Sequence, residues 1–282
     1  MHIGLEAAKA GSRVHYFALE ASKYEIERRI KYQKIAVEFF RRKAEGKYPD
    51  VNMNYMDWYR GELDLDLDDL ELLAEREVSF EGLNIFYRNE DMFDLKAFER
   101  KFLAIKDTTD LVIVDHLHYF DTMTDNENKE VKEILKKMSD MVNRHEKPIV
   151  LVSHIRKTDK KLRQLVPDLE DFHGSSDTGK ICTCAFSLAP DQINANPDTN
   201  KLQTFLTTLK CRVDGSRRGW TASVGYDIRT QRYDREYSLG KLNFTQDEFS
   251  EVGSVPFWAK NAKDPITLPT QKPLQEKYGR KK

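Results

Sequence analysis

The chain has 282 residues and a formal net charge of −1, with 33% charged and 39% hydrophobic residues. This length suffices for one large domain or a domain with appendages, and the near-zero charge excludes a globally basic nucleic-acid-binding surface. No stretch approaches the roughly 18 apolar residues of a membrane span, and the amino terminus lacks a charged-then-apolar leader. We therefore expect a soluble, cytoplasmic protein without membrane contacts, in which any nucleic-acid contact comes from a local patch.

Helical and extended patterns alternate along the first part of the chain. They predict, in order, a helix over 2–10, a strand over 14–19, a helix over 23–44, an acidic helix-prone stretch over 45–82, a strand over 83–87 and a helix over 94–105. Ser22 and Glu25 have the spacing of a capping box at the start of the long helix. The acidic run in the helix-prone stretch is most simply a solvated helix entry.

Two apolar strands with polar ends follow. Residues 111–115 read Leu-Val-Ile-Val-Asp, residues 148–154 read Pro-Ile-Val-Leu-Val-Ser-His, and a helix is predicted over 127–145 between them. Such runs are typical of buried parallel strands, whose last side chains reach the carboxyl edge of the sheet, where ligands of α/β folds bind. Asp115 is therefore a candidate metal-coordinating acid of a nucleotide site. Similar strands also occur in α/β proteins that bind no nucleotide, and the pattern alone leaves that alternative open.

The carboxyl-terminal part is rich in strands, predicted at 182–188, 202–209 and 222–228. The whole pattern indicates an α/β fold, a mostly parallel sheet flanked by helices that ends in antiparallel hairpins. Periodicity fails from about residue 247, which predicts a core over residues 1–246 and a disordered tail over 247–282. The basic end of the tail fits either solubility or the docking of a partner.

The three cysteines, Cys182, Cys184 and Cys211, are an odd and sparse set that argues against a disulfide framework. Cys182 and Cys184 alternate along an apolar run, so both lie on one face of the predicted strand. We expect them to pack in the core, because no nearby Cys or His completes a metal site.

Five segments, taken in order, carry a resemblance to a known family. They are VHYFALEAS (14–22), LVIVDHLHYF (111–120), PIVLVSHIRK (148–157), DLEDFHGSSDTGK (168–180) and LKCRVDGSRRG (209–219), closed by YDIRTQRY (226–233). Their order and spacing resemble the successive motifs of the RecA-like core of hexameric replicative DNA helicases of the DnaB type, over roughly residues 1–235. The resemblance implies a RecA-like fold, use of ATP and Mg²⁺, and 5′ to 3′ translocation on single-stranded DNA.

The same resemblance assigns roles to individual residues. Glu20 matches the glutamate that polarises the attacking water, Asp115 the Walker B acid that holds Mg²⁺, and His154 the sensor of the γ-phosphate. Lys210 and Arg212 match the lysine and arginine finger that contact the nucleotide of the neighbouring subunit. A homo-oligomeric ring, most simply a hexamer, is thereby implied. A basic pair on an edge strand is the alternative for Lys210 and Arg212.

The loops after the sensor strand are the predicted path of single-stranded DNA. A local basic cluster contains Arg156, Lys157, Lys160, Lys161 and Arg163, and the family's phosphate-holding loop aligns with His173, Gly174, Ser175 and Ser176. The sequence departs here from the DnaB-type pattern, which commonly has an Arg-Glu pair near His173 and Gly174.

The largest departure concerns the phosphate loop. The family places GxxxxGK[ST] just before the helix that opens this sequence, and Met1 falls a few residues after its Lys and Ser/Thr. Gly174–Lys180 fits GxxxxGK, but Ile181 stands where a hydroxyl is required, and no strand precedes the segment. We therefore expect a sheet that is incomplete at its amino-terminal end, and weak nucleotide binding by this chain alone. Either the sequence is a fragment, or a separate polypeptide supplies the strand and phosphate loop.

The predicted function is the ATPase core of a replicative DNA helicase of phage or bacterial type. The resemblance also allows a primase or a polymerase as a partner. One alternative is a catalytically inactive RecA-like loader, ring partner or single-strand-binding module. A recombinase or clock-type ATPase is less favoured, because Lys210, Arg212 and the Gly174-Ser175 segment fit helicases better.

Overall fold

The computed structural model describes residues 1–48, 51–77, 82–89, 92–121, 127–155, 166–172, 176–191 and 199–252. The helices are α1 (His2–Lys9), α2 (Lys23–Ala44), α3 (Tyr55–Arg60), α4 (Asp68–Glu77), α5 (Leu95–Ile105), α6 (Glu127–His145) and α7 (Ser176–Ile181). The strands are β1 (Val14–Ala18), β2 (Leu83–Tyr87), β3 (Leu111–Asp115), β4 (Ile149–Leu151), β5 (Cys184–Pro190), β6 (Lys201–Cys211), β7 (Trp220–Asp227), β8 (Arg232–Asn243) and β9 (Glu248–Glu251). No described helix is long and apolar enough to cross a membrane.

The first four strands form a parallel sheet in the order β2-β1-β3-β4. Its central strands are buried on both faces, since successive side chains of a strand point to opposite sides. Phe17, Val112 and Val114 pack with α5 and α6, whereas Tyr16 and Ile113 pack on the other face with α1 and α2. This two-sided burial explains why the strands read as nearly continuous apolar runs.

The acidic stretch after α2 folds into α3 and α4, as its helix-prone composition predicts. Leu67, Leu70 and Ala74 are buried in a separate cluster against Tyr32, Ile35, Ala36 and Phe39 of α2. The acidic side chains stay at the surface, where Glu71 and Glu75 both pair with Lys31 of α2 at 2.9 Å. The stretch is therefore a helical layer that covers α2.

The remaining strands form an antiparallel sheet in the order β5-β6-β7-β8-β9, which confirms the predicted fold class. Strands β8 and β9 were not predicted, and β9 carries regular structure to Glu251, past the predicted core boundary at residue 246. The physical reason is Phe249, which packs against Phe205, Leu209 and Leu242. Residues 253–282 of the predicted tail lie outside the described part of the chain.

The predicted packing of cysteines in the core is wrong. Cys184 is exposed, whereas Cys182 and Cys211 are only partly buried. Cys182 precedes β5 instead of lying within it, and Cys184 stands opposite Cys211 on β6, with 3.9 Å between the two sulfur atoms. The apolar alternation of this segment did not specify which face of β5 is covered.

The turn between β7 and β8 connects the two sheets through contacts with α1 and α2. The buried Tyr32 hydroxyl donates to the carbonyl of Arg229 at 2.5 Å. Gln33 Nε2 donates to the carbonyl of Gln231 at 2.9 Å, and His2 Nε2 lies 3.2 Å from the same oxygen. The YDIRTQRY segment thus contains the contact by which the antiparallel sheet is held against the helices of the parallel one.

Replacing Tyr32 with Phe should lower the free energy of unfolding by about 0.5–1.5 kcal/mol, the net contribution of one hydrogen bond. Equilibrium urea unfolding measures the change. Tyr59→Phe is the matched control, because Tyr59 is 47% exposed and should tolerate the loss of its hydroxyl. Equal stability of Tyr32→Phe and the wild-type protein would contradict the importance of this contact.

An ion pair joins the amino-terminal ends of β1 and β3. Arg13 donates to Asp110 from its backbone N–H at 2.9 Å, from Nε at 3.0 Å and from Nη2 at 2.7 Å. These hydrogen bonds lower the pKa of Asp110 to about 2. Since the folded-state pKa lies below the ordinary value, the pair stabilises the fold above about pH 4 and loses this effect as the pH falls toward 2.

Asp110→Asn should therefore destabilise the protein at pH 7, by less than about 1 kcal/mol because both partners are half-exposed. The difference from the wild-type protein should shrink between pH 5 and pH 2, as urea unfolding at several pH values would show. Asp64→Asn, at an exposed aspartate, serves as the control. A pH-independent difference would argue against this ion pair as its source.

Candidate active site

The parallel register of β1, β3 and β4 brings three predicted site residues to one edge of the sheet. Ala18 at the end of β1 is paired with Asp115 at the end of β3, and Val114 is paired with Leu151 at the end of β4. Glu20 follows β1 by two residues and His154 follows β4 by three. All three therefore lie at the carboxyl edge, where parallel α/β sheets bind ligands.

His116 lies between Glu20 and His154 and was not predicted as a site residue. It is 2% exposed, its Nε2 lies 3.2 Å from Glu20 Oε2, and its ring centroid lies 3.9 Å from that of His154. Burial lowers the pKa of His116, as does the nearby His154, whereas Glu20 and Asp115 act in the opposite direction. The signal available in the sequence was a histidine directly after the strand-terminal acid.

Asp115 is held in place by the strand beside it. The Tyr16 hydroxyl donates to Asp115 Oδ2, and the backbone N–H of Leu19 donates to the Asp115 carbonyl at 2.8 Å. Burial and this hydrogen bond raise the pKa of Tyr16, so the phenol stays a donor. Asp115 thus offers a positioned carboxylate, the ligand type that Mg²⁺ prefers. The peptide bond between Asp115 and His116 is cis.

Lys210 and Arg212 lie side by side near the end of β6 and contact the carboxyl end of α7. Lys210 Nζ donates to the carbonyls of Gly179, Lys180 and Cys182, the last at 2.8 Å. Arg212 Nη2 donates to the carbonyls of Lys180 at 2.9 Å and Ile181 at 3.0 Å. Cations are favourable at this end of a helix. Within one chain these two residues therefore cap α7, and their contact with a neighbouring subunit stays a prediction.

The predicted DNA-binding residues fall almost entirely outside the described part of the chain. This applies to Arg156, Lys157, His173, Gly174 and Ser175, and Ser176 is described only as the first backbone position of α7. The structure describes the last residues of 174–180, the segment that fits GxxxxGK. Lys180 lies in the last turn of α7, whereas a phosphate-loop lysine stands where its helix begins.

Each sheet ends in a strand that is paired on one side only among the described residues. Strand β4 pairs with β3, and β5 pairs with β6. These edge strands expose apolar side chains: Val150 and Val152 in and after β4 are each 37% exposed, and Phe186 and Leu188 of β5 are 56% and 52% exposed. Exposed apolar edges of this kind are normally covered or paired.

Fold and site together define a RecA-like protein with acidic and histidine side chains at the carboxyl edge of its parallel sheet. Residues 1–233 match the family described as DnaB-like helicase C terminal domain, and the chain belongs to this family. Membership confirms the resemblance in the motifs and implies the general use of nucleotide and Mg²⁺.

Solved structures show the same fold. The chain is similar to a structure described as an ATPase domain, with a TM-score of 0.63, 15% identity, and coverage of 80% of this chain and 75% of that one. It is also similar to a DnaB-like replicative helicase that was studied for its interactions with primase, with a TM-score of 0.62, 15% identity, and coverage of 80% and 51%. No match to a curated protein was found.

Proposed function

We propose that this chain forms the ATP-hydrolysing core of a replicative DNA helicase that moves along single-stranded DNA, 5′ to 3′, and unwinds duplex DNA. The observation that carries the proposal is the convergence of Glu20, Asp115 and His154 from three neighbouring parallel strands at one edge. These are the positions at which a water-orienting base, a metal ligand and a phosphate sensor are needed together. Family membership supports the same function.

In this proposal Glu20 orients the attacking water by accepting its hydrogen bond, a task suited to a carboxylate that is 49% exposed. Asp115 holds Mg²⁺, and the hydrogen bond from the Tyr16 hydroxyl fixes the orientation of its carboxylate. When bound, Mg²⁺ would neutralise charge that develops on the phosphate oxygens. His154, exposed beyond β4 and 3.9 Å from His116 between ring centroids, senses the γ-phosphate.

Lys210 and Arg212 act, in the same proposal, on nucleotide bound by the neighbouring subunit of a hexameric ring. Their partners within the chain are backbone carbonyls rather than carboxylates, so each side chain keeps its positive charge uncompensated by an acid in these contacts. Exchange of the carbonyls for phosphate oxygens would strengthen the hydrogen bonds, because charge-assisted bonds to anions are the strong ones. Hydrolysis would then depend on assembly.

We further propose that a strand carrying the phosphate loop docks at the open edges of β4 and β5. Such a strand is not among these 282 residues, and it lies either upstream on the same polypeptide or on a second one. Support comes from the exposed apolar side chains of both edge strands and from the division of the strands into two sheets. Added strands bind through main-chain hydrogen bonds, with alternate side chains entering apolar pockets.

The remaining features of the proposal concern DNA and cellular context. Arg156, Lys157, His173, Gly174, Ser175 and Ser176 contact phosphates of single-stranded DNA, and a primase or polymerase is a further partner. The protein acts in the cytoplasm of a bacterium or a phage-infected cell. A RecA-like loader, ring partner or single-strand-binding module without catalysis is the alternative.

The first test is single-strand-stimulated ATP hydrolysis by this chain together with the missing strand and phosphate loop. Glu20→Gln should lower the rate by about 10²–10⁴, as loss of a general base does. Arg212→Ala should lower it by about 10³–10⁵. Arg100→Ala, at an exposed arginine of α5, is the control.

Mixing the two inactive variants tests whether Arg212 acts on the nucleotide of the next subunit or only caps α7 within its own chain. In rings assembled at random from equal amounts of Glu20→Gln and Arg212→Ala chains, about a quarter of the interfaces combine an intact Glu20 with an intact Arg212 from the next subunit. Activity should therefore partly return. A mixture as inactive as its components would refute the role in trans, and DNA binding without hydrolysis in any combination would favour the non-catalytic alternative.

Docking of the strand can be followed by hydrogen exchange. Addition of a polypeptide with an apolar strand followed by GxxxxGK[ST] should slow exchange of the backbone amides at 149–152 and 184–189, because newly paired edges are protected. The same polypeptide with Pro in the middle of its strand is the control, since Pro removes a ladder donor. Unchanged exchange at both edges would exclude docking at this place.

A further inference from the structure

Glu20, His116 and His154 form a group of neighbouring side chains. The hydrolytic roles proposed for Glu20 and His154 do not account for the presence of His116 beside them. Each offers one donor atom, and the three donor atoms lie within 4.8 Å of one another. Asp115, the proposed Mg²⁺ ligand, does not belong to this group, because its Oδ2 atom is directed to Tyr16. The group consists of two imidazoles and one carboxylate, a set of donors found at zinc sites with three protein ligands.

His116 is the fixed member of the group. Its side chain is 3% exposed, and the nearest partner of its Nε2 is Glu20 Oε2 at 3.2 Å, a contact of poor hydrogen-bond geometry. Buried polar atoms whose contact is of poor geometry are uncommon, and binding of an ion is one explanation for them.

The other two members can adjust. Zinc binds nitrogen and oxygen at about 2.0–2.2 Å, so two donors of a tetrahedral site lie roughly 3.3–3.6 Å apart. The present spacing of up to 4.8 Å therefore has to close by about 1.2–1.5 Å at its widest. Glu20, with a side chain 49% exposed, and His154, which is also exposed, can make this change by rotating their side chains. Solvent can supply the fourth ligand.

Donor type selects the ion. Mg²⁺ prefers an octahedron of oxygen ligands, whereas imidazole suits zinc and the neighbouring first-row transition metals. Coordination at Nε2 places the ring proton of His116 on Nδ1, which gives up the hydrogen bond from the backbone N–H of His118. That hydrogen bond is 3.3 Å long, at the weak end of the range, and metal binding has to outweigh its loss.

We propose that Glu20, His116 and His154 bind a first-row transition-metal ion of the zinc class at the carboxyl edge of the parallel sheet. The site is separate from the Mg²⁺ position at Asp115. Its consequence for hydrolysis rests on the proposed function: a metal-bound Glu20 is withdrawn from the attacking water, so the ion would hold the ring in an inactive state. Binding itself requires neither nucleotide nor DNA.

Titration of the full 282-residue chain with Co²⁺, without nucleotide, tests the site. Co²⁺ reports its ligands through visible absorption and prefers the same donors as zinc. We expect one equivalent of Co²⁺ per chain, displacement by Zn²⁺, and no displacement by millimolar Mg²⁺. Loss of an outer-shell partner alone weakens metal sites by about 10–100-fold, so removal of a direct ligand in Glu20→Gln or His154→Ala should weaken binding by at least about 100-fold.

His145→Ala is the matched control, because His145 lies in the last turn of α6 and should leave the titration unchanged. Glu20 and His154 are exposed, so both variants should keep the circular dichroism of the wild-type protein. Binding that survives in either variant, that is displaced by Mg²⁺, or that never reaches one equivalent would overturn the proposal. None of these outcomes depends on hydrolysis, so the metal site and the helicase function can fail separately.

Discussion

The parallel pairing of β1 with β3 is the constraint on which the rest of the molecule depends. Its register sets Ala18 against Asp115, so that both strands end at the same height and Glu20 emerges beside the acid. A slip of one residue would exchange the two faces of β1 and turn Phe17 away from α5 and α6. Because Tyr16 and Phe17 pack against different helices, that slip would break both sets of contacts, and core packing thereby fixes the position of the polar edge.

A second constraint couples the two sheets. Lys210 and Arg212 belong to β6 and its end in the antiparallel sheet, whereas the acidic residues belong to the parallel one. The turn between β7 and β8 is held by Tyr32 and Gln33 of α2, and α2 itself packs on β1 through Ile26 and Ile30. The same helix therefore supports the edge that carries Glu20 and the sheet that carries the basic pair.

Much of this architecture could be predicted from the sequence, because the apolar runs of β1, β3 and β4 are local signals of strands buried on both faces. Strand β8 was missed since its pattern is interrupted by charged residues and by a register shift opposite Val224 and Tyr226. Strand β9 depends on the packing of Phe249 with residues of β6 and β8, a contact between distant segments that no local pattern encodes. The exposure of Cys184 was mispredicted for a related reason, since it depends on which face of β5 is covered.

The site was predictable where a residue ends a strand and less so where its role depends on neighbours. Asp115 and His154 follow apolar runs, but the position of His116 against both Glu20 and His154 emerges only from the folded sheet. Arg212 is a residue whose role depends on its neighbours. It donates to the carbonyls of Lys180 and Ile181 in hydrogen bonds that are exposed to solvent. Any movement of Arg212 toward a neighbouring nucleotide must replace these contacts. Phosphate can do so and water does less well, which would tie release of α7 to the presence of nucleotide.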